Sequence, residues 1–339
     1  MPAQPFASFT RVTSAVKASG VAVIIAAFRA SDTITPAIRS ALSQPETAEV
    51  VVVDDCSGDA TADAAHTAGG GDPRLKVLIQ PQNGGPSRAR NRGIAESTAP
   101  WIAVLDADDA FLPGRFAALL REPDWDFCAD NIAFVQDLSD SAAKMPVREV
   151  GPSCVLDLTR FIEGNLPQRA RVRGELGFLK PLYRRDFVAE HGLSYRENCR
   201  LGEDFLFYAE ALAKGARFRV DRQCGYAALR RSDSLSSRHR TKDLRDLAAA
   251  TRQFLDTCEI AEEERDALAR HLRSTRARLA HREVLDLRHE RGLPAALARM
   301  AAHPTVLGAI LHDKFAPAQA SANRAGKLVS DEAFAELCG

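Results

Sequence analysis

Continuous apolar runs alternate with amphipathic segments along the first third of the chain. Val21 to Phe28 and Val50 to Val53 are rich in β-branched residues, which favours strands buried on both faces. After Ser31-Asp32-Thr33, a predicted helix cap, apolar residues recur at helical spacing, and Ala60 to Ala68 is an alanine-rich helical segment. This alternation predicts an α/β fold with a mostly parallel central sheet flanked by helices.

Two further strands continue the pattern. Leu75 to Ile79 is a short apolar strand, a glycine-rich loop at Asn83 opens a helix that runs to about Ser97, and Trp101 to Leu105 is the fourth strand. Because ligands of such sheets bind beyond the carboxyl ends of the strands, we expect the polar loops after the second, third and fourth strands to converge.

The bulk composition excludes several classes of protein. The 339 residues are 45% hydrophobic, and Lys plus Arg (45) equals Asp plus Glu (45), so no global basic field attracts nucleic acid. The seven cysteines never form a CxxC pair, which argues against a disulfide framework or a zinc knuckle. No stretch approaches the roughly 20 apolar residues of a membrane span. We therefore expect a cytoplasmic chain that is soluble or peripheral to the membrane.

The segment from Asp106 to Asp109 places three carboxylates directly after the fourth strand. Such groups repel one another unless a cation neutralises them, and their oxygen ligands suit Mg²⁺ or Mn²⁺, which bridges one or two carboxylates to substrate phosphates. The alternative is a solvated turn in which Asp108 or Asp109 caps a helix that begins near Pro113. The segment alone leaves the two interpretations about equally supported.

The other two polar loops are less specific. Asp54 and Asp55 follow the second strand, where an acidic residue can bind a base or ribose, although this loop taken alone favours the simpler interpretation, a loop that caps the next helix. The loop from Asn83 to Asn91 combines glycines, two arginines and a helix N-terminus, which together attract diphosphate oxygens. It lacks the Walker A sequence, and no GxGxxG follows the first strand.

Taken in order, these loops resemble those of family 2 glycosyltransferases with the GT-A fold. The resemblance covers residues 20–240 and rests on the segments VAVIIAAF, VVVDDCSGDAT, NGGPSRARNRGIAES, WIAVLDADDAFLPGRF and LGEDFLFYAEALAKGARF. The continuation Cys128-Ala129-Asp130-Asn131 narrows the likeness to bacterial exopolysaccharide glucosyltransferases of the succinoglycan-assembly type.

The resemblance implies an inverting, metal-dependent transfer of a sugar from a UDP-sugar to a saccharide hydroxyl. The likeness to glucosyltransferases implies that this sugar is glucose. Asp204 would be the general base on the acceptor, with Glu203 as the local rival. Mn²⁺ or Mg²⁺ would bind Asp108, together with Asp106 and Asp109. The implied donor-binding residues are Ala26, Phe28, Asp54, Asp55, Gly84, Arg88, Asp106, Ala107, Arg231 and Ser234.

The same resemblance divides the chain. Residues 1–19 form an N-terminal extension, 20–115 a nucleotide-sugar-binding half, 116–240 an acceptor half, and 241–339 a helical C-terminal region. The last region includes an arginine-rich amphipathic helix from Glu262. That helix either packs on the catalytic domain or contacts the inner face of the membrane, where a lipid-linked oligosaccharide acceptor would lie.

One departure from the family pattern, one further segment of uncertain role and two alternative functions accompany this interpretation. Phe28 stands where the family more often has tyrosine, so the base-stacking residue has no hydroxyl. The segment from Tyr226 to Ser236 resembles one that covers the diphosphate, but it equally resembles an exposed basic turn. A nucleotidyltransferase that makes a nucleotide sugar, or a non-catalytic saccharide-binding protein on this fold, remains the alternative function. No nucleic-acid partner is expected.

Overall fold

The computed structural model describes residues 20–122, 124–138, 153–166, 176–230 and 240–302, with residues 308, 326–327 and 334. The predicted N-terminal extension, residues 1–19, lies outside the described residues, as do Arg231 and Ser234.

The N-terminal elements follow the predicted order closely. They are β1 (Val21–Ala27), α1 (Ile34–Leu42), β2 (Thr47–Asp54), α2 (Thr61–Gly69), β3 (Leu75–Ile79), α3 (Gly85–Ala95) and β4 (Trp101–Asp106). Strand β2 begins three residues before the predicted Val50, because Thr47 already pairs with β1. Thr33 precedes α1 but makes no side-chain capping bond, so the predicted cap at that position is wrong.

The remaining elements were only partly predicted. They are β5 (Ala110–Phe111), α4 (Arg115–Leu119), β6 (Phe127–Val135), β7 (Ser153–Leu156), α5 (Leu158–Gly164), β8 (Leu182–Arg184), α6 (Arg185–Glu190), α7 (Glu203–Ala213), β9 (Phe218–Leu229), α8 (Thr241–Thr257), α9 (Glu262–Ala302) and β10 (Gly326–Lys327). The two-residue strand β10 pairs with β6 and was not predicted in the helical C-terminal region.

Within the described residues, ten strands form one sheet in the order β3-β2-β1-β4-β8-β6-β9-β5, with β10 on β6 and β7 on β9. The first four strands of this order are parallel to one another. Strand β8 then runs antiparallel to both β4 and β6. The predicted α/β class is confirmed: β1 to β4 form a parallel block, β8 adds antiparallel pairs, and β6 and β9 pair in parallel with each other.

Helix α3 lies unusually close to the sheet, because Gly93 faces strand β1. A Cβ atom at this position would come within 2.5 Å of the Ile24 Cγ2 atom and 3.4 Å of Val53 Cγ2. The glycine therefore permits the close packing that sets the distance of α3 from the strand ends.

The C-terminal helices share the core of the sheet domain. Phe254 of α8 and Leu268 of α9 are fully buried in the same apolar cluster as strands β1, β2 and β4. Helix α9 is kinked at Gly292, whose φ of 82° is non-helical, and Pro294 follows. Among the described residues, no helix has both the length and the apolar character needed to cross a membrane.

Candidate functional site

The polar loops meet at one edge of the sheet. In the strand register, Ala26 lies opposite both Val53 and Asp106, and Asp54 lies opposite Ile79. The parallel strands β1 to β4 therefore end at nearly the same level, and the loops that follow them leave the sheet side by side. The predicted convergence is confirmed.

Asp55 joins the acidic loop after β2 to the glycine loop before α3. Its Oδ1 atom accepts hydrogen bonds from the Gly84 amide at 2.8 Å and from Gln80 Nε2 at 2.9 Å. Its Oδ2 atom accepts from the Gly85 amide at 2.7 Å. The carboxylate, which is 3% exposed, is thus used to hold the glycine loop against the sheet edge.

The adjoining turns carry backbone strain. Arg29 and Cys56 have φ angles of 52° and 59°, and they are the only non-glycine residues with positive φ among those described. The Arg29 amide donates to Ser57 Oγ at 2.9 Å, and the Ser57 hydroxyl in turn donates to Asp54. The ends of β1 and β2 are therefore tied together by Asp54 and Ser57. Such strain is typical of functional turns.

Phe28 lies at the open end of β1 and is 40% exposed. The Arg29 guanidinium carbon lies 5.2 Å from the centroid of its ring. An exposed aromatic ring at this edge offers a surface for a flat ligand group. Ala26 is partly buried beneath it, and Ala107 is 9% exposed.

Asp109 links the acidic turn to strand β9. The Tyr226 hydroxyl donates to its Oδ2 atom at 2.7 Å, and the Leu229 amide donates to Oδ1 at 2.8 Å. Burial, with the charges of Asp106 and Asp108, raises the pKa of Asp109 well above its ordinary value. The alternative in which Asp108 or Asp109 caps the next helix is wrong, because α4 is preceded by Gly114 without any side-chain cap.

A cluster of ion pairs lies beside this turn and joins α3, β4 and α7. Arg90 donates to Asp106 Oδ1, Asp204 Oδ1 and Glu203 Oε1, each at 3.0 Å. Lys180 Nζ lies 3.0 Å from Asp106 Oδ2 and 2.8 Å from Asp204 Oδ2. The side chains of both cations are only 5% exposed. The cluster brings the predicted catalytic pair to the predicted donor-binding edge.

At Asp106 and Lys180, the ion pairs change the pKa more than burial does. Burial alone would raise the pKa of Asp106, but the charges of Lys180 and Arg90 lower it below the usual range. Burial would likewise lower the pKa of Lys180, yet Asp106 and Asp204 raise it. Burial and then the Asp204 charge raise the pKa of Glu203.

The start of α7 aims both acids at the cluster. Gly202 has a φ of 72°, a left-handed conformation that glycine adopts without strain, and α7 begins at Glu203. Glu203 and Asp204 therefore occupy the first turn, where the helix dipole favours carboxylates. Their side chains are 14% and 12% exposed, so both remain partly accessible.

The sequence analysis did not identify Arg90 or Lys180 as site residues. Arg90 lies in the same segment as Arg88, and only the three-dimensional packing of α3 shows which of the two turns inward. Lys180 stands in the otherwise apolar run from Phe178 to Tyr183. A lysine in such a run is a usable signal, since lysine is rarely buried unless it is paired.

Arg88 and Asp108, which are both predicted ligand-binding residues, are partly accessible at the same edge of the sheet. Arg88 is half-buried at the start of α3 and, within the described part of the chain, has no hydrogen-bond or ion-pair partner. Asp108 is half-buried at the tip of the acidic turn. The described residues contain no group of three or more His, Cys, Asp or Glu side chains able to hold a metal ion.

The donor set nevertheless fits a hard divalent cation. Both oxygens of Asp106 face cations and both oxygens of Asp109 accept hydrogen bonds. Asp108 adds a third carboxylate to the turn and is half-buried. An ion held by one or two carboxylates would complete its shell with diphosphate oxygens and water, as Mg²⁺ commonly does.

The sheet order, the acidic turn after β4 and the acids at the start of α7 define the GT-A class of nucleotide-sugar-dependent transferases. The profile of the family described as Glycosyl transferase family 2 matches residues 22–168. The chain is 46% identical over 306 residues to succinoglycan biosynthesis protein ExoU of Rhizobium meliloti, covering 89% of this chain and 90% of that protein. The chain belongs to the family 2 glycosyltransferases and is a glycosyltransferase of the succinoglycan type.

Solved structures agree with this fold. TarS of S. aureus (residues 1–349) in complex with UDP-GlcNAc superimposes with a TM-score of 0.57 at 20% identity, covering 88% of this chain and 82% of that one. The mannosyltransferase PcManGT of Pyrobaculum calidifontis, in complex with GDP-Man and Mn²⁺, gives 0.53 at 16% identity, covering 88% and 85%. At these identities the likeness shows the shared GT-A fold.

Proposed function

We propose that this enzyme transfers glucose from UDP-glucose, with inversion and with a divalent metal, to a saccharide hydroxyl on a lipid-linked exopolysaccharide intermediate. The observation that carries the proposal is the ion-pair cluster, in which Asp106 of the donor edge and Asp204 of α7 share Arg90 and Lys180. It supports a single reaction centre built from a donor half, residues 20–115, and an acceptor half, residues 116–240.

The donor lies along the open ends of β1, β2 and α3. Phe28 stacks on the base, and Asp54 and Asp55 shape the loops that border the ribose. The diphosphate lies beside Gly84 at the start of α3, where the helix dipole favours negative charge, while the Gly84 amide itself remains bonded to Asp55. Arg88 supplies a guanidinium to the same anion. Arg231 and Ser234, outside the described residues, complete the proposed diphosphate contacts.

Asp108 is the principal metal ligand, and Asp106 is a second carboxylate of the same turn. Asp109 supports the turn through Tyr226 and Leu229. Mn²⁺ or Mg²⁺ bound there would offset the negative charge that develops on the departing diphosphate. The Mn²⁺ in the PcManGT complex supports a metal on this fold.

Asp204 acts as general base on the acceptor. An ionised carboxylate has about four lone-pair positions, and the contacts with Arg90 and Lys180 use one on each oxygen. It can therefore accept the proton of a hydroxyl while both contacts persist as hydrogen bonds to the neutral acid. The hydroxyl oxygen attacks the anomeric carbon opposite the UDP oxygen, the bond to UDP breaks with its electron pair, and the product is inverted.

The exposed surface of helix α9 is relevant to how the enzyme reaches a lipid-linked acceptor. Much of α9 is packed, with Arg270 paired to Glu163 at 2.6 Å. Beyond the middle of the helix, Leu285, Leu293 and Leu297 are 41–53% exposed. This stretch, rather than the packed half of the helix, is the proposed contact with the inner face of the membrane.

Product analysis tests this function. The purified chain is incubated with Mn²⁺, octyl glucoside as acceptor and a panel of nucleotide sugars, and UDP is measured. A parallel incubation contains UTP and glucose 1-phosphate, and pyrophosphate is measured. We expect release of UDP, strongest from UDP-glucose. Release of pyrophosphate from UTP and a sugar phosphate would favour a nucleotidyltransferase, and no release from any donor would favour a saccharide-binding protein without activity.

A further inference from the structure

Four side chains of the cluster form a closed ring of alternating charge. Arg90 bridges the Oδ1 atoms of Asp106 and Asp204, each at 3.0 Å. Lys180 Nζ bridges their Oδ2 atoms, at 3.0 Å and 2.8 Å. Each carboxylate is thus held on both oxygens by two different cations. This ring fixes the separation and the mutual orientation of Asp106 and Asp204.

Arg90 and Lys180 do not contribute equally to holding the carboxylate of Asp204 in place. Arg90 divides its guanidinium among Asp106, Asp204 and Glu203. Lys180 contacts Asp106 and Asp204, and its ammonium group has three donors. Without Lys180, the Oδ2 side of Asp204 would face Asp106 with no cation between them, and the two carboxylates would repel each other.

The backbone of Lys180 is itself anchored. The Arg115 guanidinium donates to its carbonyl oxygen and also to both carboxylate oxygens of Asp130, at 3.0 Å and 3.1 Å from Nε. Arg115 and Asp130 are 0% and 1% exposed. Gly225 leaves room for this pair, since a Cβ there would lie 1.9 Å from Asp130 Oδ2. A buried ion pair therefore fixes the point from which the Lys180 side chain extends.

We propose that Lys180 is a positioning residue of the transfer reaction, which holds the carboxylate of Asp204 oriented toward Asp106 and hence toward the donor. This inference rests on the proposed function. Lys180 touches the base and the acidic turn and needs no contact with either substrate. Its loss would misplace the base, and misplacement of a catalytic group by about 1 Å can cost roughly 10²-fold in rate.

The test compares Lys180→Met, which keeps the aliphatic stem, with Lys180→Arg, which keeps the charge. Lys76→Met is the matched control, because Lys76 forms an exposed pair with Glu96 away from the site. UDP-glucose turnover is followed as UDP release with water or octyl glucoside as acceptor. Binding of UDP with Mn²⁺ is measured by calorimetry, and folding by thermal melting.

We expect Lys180→Met to lower kcat about 100-fold while the KM for UDP-glucose and the Kd for UDP change less than about threefold. Lys180→Arg should recover at least about tenfold of the loss, and Lys76→Met should match the parent. An unchanged kcat in Lys180→Met would overturn the inference. So would a parallel loss of UDP binding, or an arginine variant no better than methionine, since a merely structural lysine gives those results.

Two further measurements test the inference if Lys180→Met does not fold or if the parent enzyme is inactive. If Lys180→Met does not fold, Lys180→Gln takes its place as the variant without the charge, and an unchanged kcat in Lys180→Gln would overturn the inference. If the parent releases no UDP from any nucleotide sugar, the proposed function fails. The crystal structure of Lys180→Met then decides: we expect Asp204 turned away from Asp106, and an unmoved carboxylate would contradict the positioning role.

Discussion

Replacing Arg90 with methionine should destabilise the fold far more than removing an ion pair from the surface. Arg90 is 5% exposed and makes three ion pairs of 3.0 Å, so its loss leaves three carboxylates with Lys180 as their remaining cation. Breaking a buried pair costs about 3–5 kcal/mol. Because Asp106 is 34% exposed and water screens it in part, we expect about 3 kcal/mol.

Urea unfolding followed by tryptophan fluorescence measures this loss in metal-free buffer, because Trp101 in β4 is 6% exposed and reports on the sheet. The control is Lys76→Met, which breaks a pair whose side chains are 46% and 43% exposed and should cost less than about 1 kcal/mol. Arg90→Lys keeps the charge but loses the planar fork, so its cost should lie between the two. If Arg90→Met cost no more than Lys76→Met, the buried cluster would not stabilise the site as described.

Three further predictions concern the ligands. Asp108→Asn should weaken Mn²⁺-dependent binding of UDP at least about tenfold by calorimetry, and parental binding would contradict the metal assignment. Phe28→Ala should raise the Kd for UDP by roughly 10-fold with little change in kcat, since stacking on a base contributes about 1–3 kcal/mol; an unchanged Kd would remove Phe28 from the donor site. The double variant Leu293→Gln/Leu297→Gln should reduce sedimentation with phosphatidylglycerol vesicles, and equal sedimentation would leave α9 without a membrane role.

The donor half of the fold was predictable because its signals are local. Each parallel strand is a short apolar run, and the loop after it carries the polar residues, so the position of Asp54 or Asp106 follows from the segment before it. The rule that parallel strands end at one edge then brings these loops together without any knowledge of long-range contacts.

The acceptor half and the ion-pair ring were not predictable in the same way. Strand β9 pairs in parallel with β6 across a long stretch of chain, and no local pattern specifies that pairing. Tyr226 reaches Asp109 across 117 positions, and this contact replaces the helix cap that the local sequence permits. Lys180 and Asp204 are 24 positions apart. They meet because Lys180, just before β8, and Asp204, in the first turn of α7, both lie at the carboxyl end of β4.

The central claim is that Asp204 removes the proton from the acceptor hydroxyl and makes no direct contact with the donor. The most direct measurement compares Asp204→Asn with Glu203→Gln, using UDP release from UDP-glucose and calorimetric binding of UDP with Mn²⁺. We predict that Asp204→Asn binds UDP within about threefold of the parent but loses roughly 10²–10⁴-fold in turnover, with a much smaller loss for Glu203→Gln. Near-parental turnover in Asp204→Asn, or a loss of UDP binding in its place, would contradict the account.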